Sequence, residues 1–201
     1  MNVSEFIKSI TPGAIETYKQ TGVLPSVTIA QAILESSDKN GVPGNSSLAR
    51  LYNNIFGIKG IGTAGAVNLS TTENIGGKLQ NTKANFRVYN NLNESIIDHA
   101  DVLSADRYSK VRTASNYKSA TYELQKAGYA TDSNYSGKLN SIIAQNKLYQ
   151  IDSTVQSGGV EEFNILSNFN PFNITAGIGG GIATIAGVIL LIIGLIYLLS
   201  E

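Results

Sequence analysis

The sequence predicts an α+β fold, mainly helical with a small antiparallel β lobe, followed by a C-terminal hydrophobic helix of transmembrane type. Three observations predict it. Apolar residues recur at helical spacing through most of the first 150 positions. Residues 61–90 break that pattern with Gly, Thr and Asn and with short alternating pieces. From Ile174 to Leu199 there is no charge, and the uncharged stretch extends from Phe163 to Ser200. A helix over residues 174–199 would measure about 39 Å at ~1.5 Å per residue, against a hydrocarbon core of roughly 30 Å.

Each element has a local reason. Thr11 followed by Pro12 reads as an N-cap and first-turn proline, with Ile15 and Tyr18 on one face. Pro25-Ser26 opens a helix running to Ser37, where Val27, Ala30, Ile33 and Leu34 recur at helical spacing. The alternating pieces Ala66–Leu69 and Ala84–Tyr89 supply the β lobe. Asn93 precedes a third helix with Ile96, Ile97, Ala100 and Leu103 inward. Ala114 to Ala127 ends at Gly128, and a last helix starts at Asp132 or Ser133 and runs through Tyr135, Leu139, Ile142 and Ile143.

The organisation follows: a head over residues 1–152, a Ser/Gly/Asn-rich linker over 153–173, and the hydrophobic tail over 174–201. In the tail, Gly177 and Gly181 stand in GxxxG spacing and Ala183 with Gly187 repeats the small-residue pattern that lets helices approach closely. No Lys or Arg flanks the apolar run, so the positive-inside rule gives no orientation. Residues 1–147 hold all fifteen Lys and Arg and eleven of the acids, a net +4, while Asp152, Glu161, Glu162 and Glu201 lie beyond. A mildly basic head suits an anionic polymer such as a cell wall, and equally an ordinary solvated surface. There is no cysteine, hence no disulfide and no thiolate metal site. No phosphate-binding loop, dinucleotide fingerprint or aromatic-interleaved basic patch occurs, so no cofactor and no nucleic acid is implied. His99 is the sole histidine and reads as structural.

Glu35 is the candidate for chemistry. It ends the Ser26–Ser37 helix after an apolar run that should be buried. Burial and the negative end of the helix dipole both disfavour its carboxylate, which is what a general acid needs near neutral pH. Asp38, one turn on, is a like charge that would act in the same direction.

The neighbouring text resembles glycoside hydrolase family 73, the bacterial and phage endo-β-N-acetylglucosaminidases of peptidoglycan. Ala30, Gln31, Glu35 and Ser36, then Asn54, Phe56, Gly57 and Lys59, match its first motifs. Ser70–Glu73 resembles its Thr-x-Glu, Phe86–Tyr89 with Glu94, Ser95, Asp98 and His99 its Phe-Arg-x-Tyr and following helix, and Lys126–Asp132 with Tyr135, Lys138 and Leu139 its closing motif. The match is collinear over about residues 3–150. It implies a lysozyme-like fold, Glu35 as general acid and Glu73 as the second carboxylate of two-carboxylate hydrolysis. If Glu73 lies far away, the substrate's own acetamido group could serve instead. The resemblance also puts Tyr129, Asn54, Phe56 and Gln31 at the sugar subsite, with no metal. One departure stands out: Ser37–Gly41 replaces the small-aromatic-Gly sequence that commonly follows Glu-Ser, and there is no Trp.

The combined reading is a peptidoglycan glycosidase with a membrane-inserting tail. Met1–Ile10 carries Glu5 and Lys8 and no long apolar stretch, so it does not read as a secretory signal. Delivery on a phage particle or tail is therefore expected, with bacterial peptidoglycan, the lipid bilayer and other virion proteins as partners. The competing readings are a membrane-active injection or pore protein with a degenerate wall-binding head, and a tail-anchored host enzyme at the bacterial membrane, including a lytic transglycosylase, which needs only one carboxylate.

Overall fold

The computed structural model describes residues 2–75 and 78–158, with the side chains of residues 72–79 left out. The architecture is α+β, mostly helical with one two-stranded antiparallel sheet. Helix α1 (Val3–Thr21) begins nine residues earlier than Thr11-Pro12 suggests. A capping box decides its start: Asn2 Oδ1 accepts from the Glu5 amide and Glu5 Oε2 from the Asn2 amide, both at 2.9 Å. Pro12 therefore sits inside the helix. It lies on the solvent-facing side, as does Lys8, whose carbonyl loses its partner there, so water can satisfy what proline cannot. Gly22, at φ 82°, closes the helix and donates its N–H to the Tyr18 carbonyl at 2.8 Å.

Helix α2 (Pro25–Ser36) is the centre of the head. All of its residues from Pro25 to Ile33, and Ser36, are buried, with Ser26, Thr28 and Gln31 among them, so it is buried nearly all round rather than on one face. It packs against α1 and against three later helices, α6 (Tyr117–Lys126), α7 (Tyr135–Gln145) and α8 (Tyr149–Gln156). Leu24 offers α2 no side-chain cap. Asp152 supplies one from α8: Oδ1 accepts from the Ser26 amide at 2.9 Å and Oδ2 from the Ser26 hydroxyl at 2.5 Å. Burial pushes the Asp152 carboxyl up to about 6, against these two bonds. The first residues expected to be linker are thus helix and core, because Ile151, Asp152 and Val155 face inward. The remainder of the linker and the whole hydrophobic tail lie outside the described residues. Among the described residues no helix is long and apolar enough to cross a membrane.

Short α3 (Ser47–Tyr52) follows, then the ribbon β1 (Ala66–Ile75) and β2 (Lys78–Arg87), paired from Ala66 opposite Arg87 to Ile75 opposite Lys78. Helix α4 (Leu92–Leu103) starts two residues before the predicted point, because Asn91 rather than Asn93 accepts from the Glu94 amide. Its inner face is Ser95, Ile96, His99, Ala100 and Leu103; Ile97, expected inward, is 43% exposed. Helices α1 and α4 cross at Gly13, where a Cβ would meet Asn93 Oδ1 at 2.7 Å and Ile96 Cδ1 at 3.0 Å. A 3₁₀ turn (Asp106–Tyr108) and α5 (Ser109–Arg112), neither anticipated, lead into α6. Asn116 caps α6 and Gly128, at φ 75°, follows its end.

Candidate active site

The central helix delivers Glu35 to the surface. Its last residue, Ser36, is buried, donates its hydroxyl to the Ala32 carbonyl, and anchors the loop beyond: Gly44 N–H donates to Ser36 Oγ and Ser46 N–H to the Ser36 carbonyl, both at 2.8 Å. Glu35 thus stands at a fixed edge where α2 breaks surface. It is not enclosed as the sequence suggested; it opens to solvent through a cleft of about 460 Å³ lined also by Phe56, Gly57, Lys59, Val102, Arg107, Tyr108, Tyr129 and Ala130. The surrounding protein still raises its pKa, through desolvation. A hydrogen bond from Tyr135 and the charge of Lys138 oppose that rise. Access through the cleft limits the desolvation, and an occupying ligand would add to it by excluding water. Asp38 plays no part in this shift. Its carboxylate folds back on its own loop, accepting from Asn40 N–H at 2.8 Å, Val42 N–H at 3.0 Å and Asn45 Nδ2 at 2.5 Å.

A relay runs behind Glu35. Gln31, one turn earlier on α2 and fully buried, donates from Nε2 to the Tyr135 hydroxyl at 3.2 Å, and that hydroxyl donates to Glu35 Oε1 at 3.0 Å. Burial holds the Tyr129 and Tyr135 phenols well above their ordinary range, so both stay protonated and able to donate. With Oε1 occupied by Tyr135, the proton of a neutral Glu35 sits on Oε2. One oxygen is oriented and the other carries the acid.

The cleft floor is aromatic. Tyr129 stacks near Tyr135 (centroids 5.7 Å, 24°) and stands edge-on to His99 at 6.0 Å, while His99 stacks on Phe56 at 3.8 Å and 9°. His99 is structural: it is enclosed, and burial pushes its imidazole down to about 3, so it is neutral. Asn54 holds the wall together. Its Nδ2 donates to the carbonyls of Ile58 and Arg87, both at 2.9 Å, and its Oδ1 accepts from Ile58 N–H at 3.0 Å. The ribbon base is tied to α4 through Asp98, which pairs with Arg87 and accepts from the Tyr89 hydroxyl at 2.6 Å.

Of the residues expected at the site, Glu35, Phe56 and Tyr129 line one cleft. Gln31 and Asn54 do not reach its surface, being 0% and 1% exposed, because their amides are committed to Tyr135 and to the loop–ribbon junction. Glu73 lies on β1 opposite Gln80, two residues before the strand ends. Six residues of strand separate it from Val67 at the ribbon base, roughly 20 Å of extended chain. Sequence reasoning missed Tyr108, Arg107 and the role of Tyr135. Tyr135 had a usable signal, since it stands in the closing motif; the Asp106-Arg107-Tyr108 turn had none. Among the described residues no group of three or more His, Asp or Glu is placed to hold a metal ion.

The profile of the glucosaminidase family, described as mannosyl-glycoprotein endo-beta-N-acetylglucosaminidase, matches residues 11–148. The exo-glucosaminidase LytG of Bacillus subtilis is 40% identical over 153 residues, covering 73% of this chain and 52% of that protein. A probable N-acetylmuramidase of Lactococcus lactis is 39% identical over 162 residues, 76% of this chain and 36% of that protein. The chain therefore spans about half the length, or less, of these relatives. Among solved structures, the catalytic domain of the autolysin Auto from Listeria monocytogenes superposes with a TM-score of 0.65 at 37% identity, covering 75% of this chain and 87% of that one. With more than half of its length inside the family profile, and a lysozyme-like α+β fold arranged around the Glu35 cleft, the chain belongs to the glucosaminidase family.

Proposed function

We propose that the chain hydrolyses the glycan strands of bacterial peptidoglycan as an endo-β-N-acetylglucosaminidase. The observation that carries this reading is Glu35: a cleft-lining carboxyl with its pKa raised by desolvation and one oxygen held by Tyr135. Glu35 Oε2 protonates the glycosidic oxygen as the bond breaks. Glu73 then activates water or stabilises the oxocarbenium-like centre if the ribbon brings it over the cleft, and otherwise the substrate acetamido group fills that role. Tyr129 and Phe56 form the apolar wall against which a pyranose ring packs. The names of the relatives include both a glucosaminidase and a muramidase, so the bond cut is the point to test. Purified protein is incubated with peptidoglycan sacculi and the released ends are analysed by mass spectrometry. Reducing N-acetylglucosamine ends are expected, and their loss in Glu35→Gln by about 10²- to 10⁴-fold, the scale of general-acid catalysis. Anhydro-muramyl ends would overturn the assignment in favour of transglycosylation.

The same reading extends to the tail. Residues 174–199, uncharged and long enough to span a bilayer, insert into the membrane beneath the wall that the head opens. A chain joining these two parts suits delivery on a phage particle. Partitioning of a peptide spanning residues 163–201 into lipid vesicles tests the first step, and detection of the chain in purified particles tests the second.

A further inference from the structure

Arg107 is held differently from its basic neighbours. Arg87 pairs with Asp98, Arg112 donates to the Leu103 and Ala105 carbonyls, and Lys138 pairs with Asp132 at 2.6 Å. The Arg107 guanidinium instead lies 4.6 Å above the Tyr108 ring, and among the described residues no carboxylate pairs with it. An aromatic face fixes a guanidinium without neutralising it and leaves its donor edge available. The Tyr108 ring is itself buried, 1% exposed, and packed near Tyr129. Arg107 is thus a positioned cation at the rim of the cleft.

The cleft lining contains two cations, Arg107 and Lys59, and a single acid, Glu35. Neither cation is among the groups that act on Glu35; Lys138, outside the lining, is the cation that does. A strand of N-acetylhexosamines without acidic substituents offers Arg107 only neutral oxygens, whereas the muramyl units of peptidoglycan carry carboxylates, with which a guanidinium makes the stronger, charge-assisted contact.

We propose that Arg107 is a specificity-determining residue that recognises a carboxylate borne by the muramyl unit of the bound strand. The proposal rests on the peptidoglycan reading above. Two sources share this chemistry: the lactyl carboxylate of a muramyl residue without its peptide, and the carboxylates of an attached stem peptide. Either meets the guanidinium edge in a charge-assisted, bidentate contact, while the sugar rings lie along Phe56 and Tyr129 toward Glu35.

The test measures equilibrium binding by the full chain carrying Glu35→Gln, so that strands are bound and not cut. The probes are glycan strands stripped of stem peptides, stem-bearing strands, the stripped strands with their carboxylates amidated, and chitohexaose. Adding Arg107→Gln should reduce the preference for charged over amidated strands about tenfold, the scale of one solvent-accessible charge-assisted contact. Arg107→Lys should restore part of that preference, since it keeps the charge and loses the fork. Loss confined to stripped strands identifies the lactyl carboxylate, and loss confined to stem-bearing strands identifies the peptide. An equal effect of Arg107→Gln on charged, amidated and neutral strands would overturn the inference and leave the hydrolase reading standing. Failure of the Glu35→Gln chain to bind any of the four would sink the hydrolase reading itself.

Discussion

Tyr135→Phe removes one oxygen atom and, by this geometry, lowers turnover while leaving substrate affinity nearly as it was. The Tyr135 hydroxyl points at Glu35 Oε1 from 3.0 Å and the residue is 3% exposed, so it touches the acid and not the sugar. While Glu35 is protonated this is a neutral hydrogen bond, worth about 0.5–1.5 kcal/mol; as the proton leaves it becomes a bond to a charge, worth about 1.5–3 kcal/mol. The difference, roughly 1 to 1.5 kcal/mol, acts only in the transition state, and corresponds to a fall in kcat of about tenfold. The bond also favours the carboxylate, so without it the Glu35 pKa rises further. The alkaline limb of the rate profile, where the acid proton is lost, should then move to higher pH. The substitution leaves Gln31 Nε2 without its acceptor, which costs about 1–3 kcal/mol of stability. The assay is wall lysis against pH for both proteins, below the melting point of the variant. A raised KM with unchanged kcat, or an alkaline limb displaced to lower pH, would refute the relay.

Three further outcomes follow from named contacts. Asp152 titrates at about 6 in the fold against an ordinary 3.8, so the folded state binds its proton more tightly than the unfolded chain. The stability this gives is present below about pH 4 and is lost as pH rises through 6, a few kcal/mol at most. Asp152→Asn should remove that decline from melting temperature against pH; a wild type that instead gains stability over this window relative to the variant would show that the α2 N-terminus holds the carboxylate ionised. Asn54→Ala deletes three hydrogen bonds, two within the 54–58 loop and one to the Arg87 carbonyl at the ribbon base, and should destabilise the protein by roughly 2–4 kcal/mol in thermal melts; a variant that melts normally and only binds substrate poorly would return Asn54 to the subsite. Glu73→Gln should lower turnover by about 10²-fold or more if Glu73 activates water, and an effect below threefold would assign that role to the substrate acetamido group.

The helices were legible where one residue both starts the element and faces the core, as Pro25 does in α2, whose mainly apolar residues on every side mark a helix buried nearly all round. Thr11-Pro12 misled because a proline is a start signal only when nothing upstream can cap, and Asn2 with Glu5 caps better. The C-terminal edge of the head was misplaced for a different reason. Tyr149–Gln156 is short and polar in composition, and what ties it to the head is tertiary: Ile151 and Val155 are buried, and Asp152 gives α2 the cap that Leu24 cannot. A contact across 126 residues leaves no periodic mark on either partner.

At the site, motif residues and cleft residues overlap only in part. Asn54, Arg87, Tyr89, Asp98 and His99 stand in the motifs, yet they brace the cleft rather than face it. Two-stranded ribbons are marginal by themselves, and this one is fastened at its base through Arg87 and Tyr89 to Asp98 on α4 and through Asn54 to the preceding loop. Such bracing is as demanding of residue type as chemistry is, because each side chain must satisfy two partners at once, and a motif therefore cannot tell wall from brace. Geometry can. It separates Phe56 and Tyr129, which present surface to the cleft, from Gln31 and Asn54, which present none. It also brings in Arg107, on a three-residue turn with no pattern of its own, because the Tyr108 ring beneath it packs beside Tyr129.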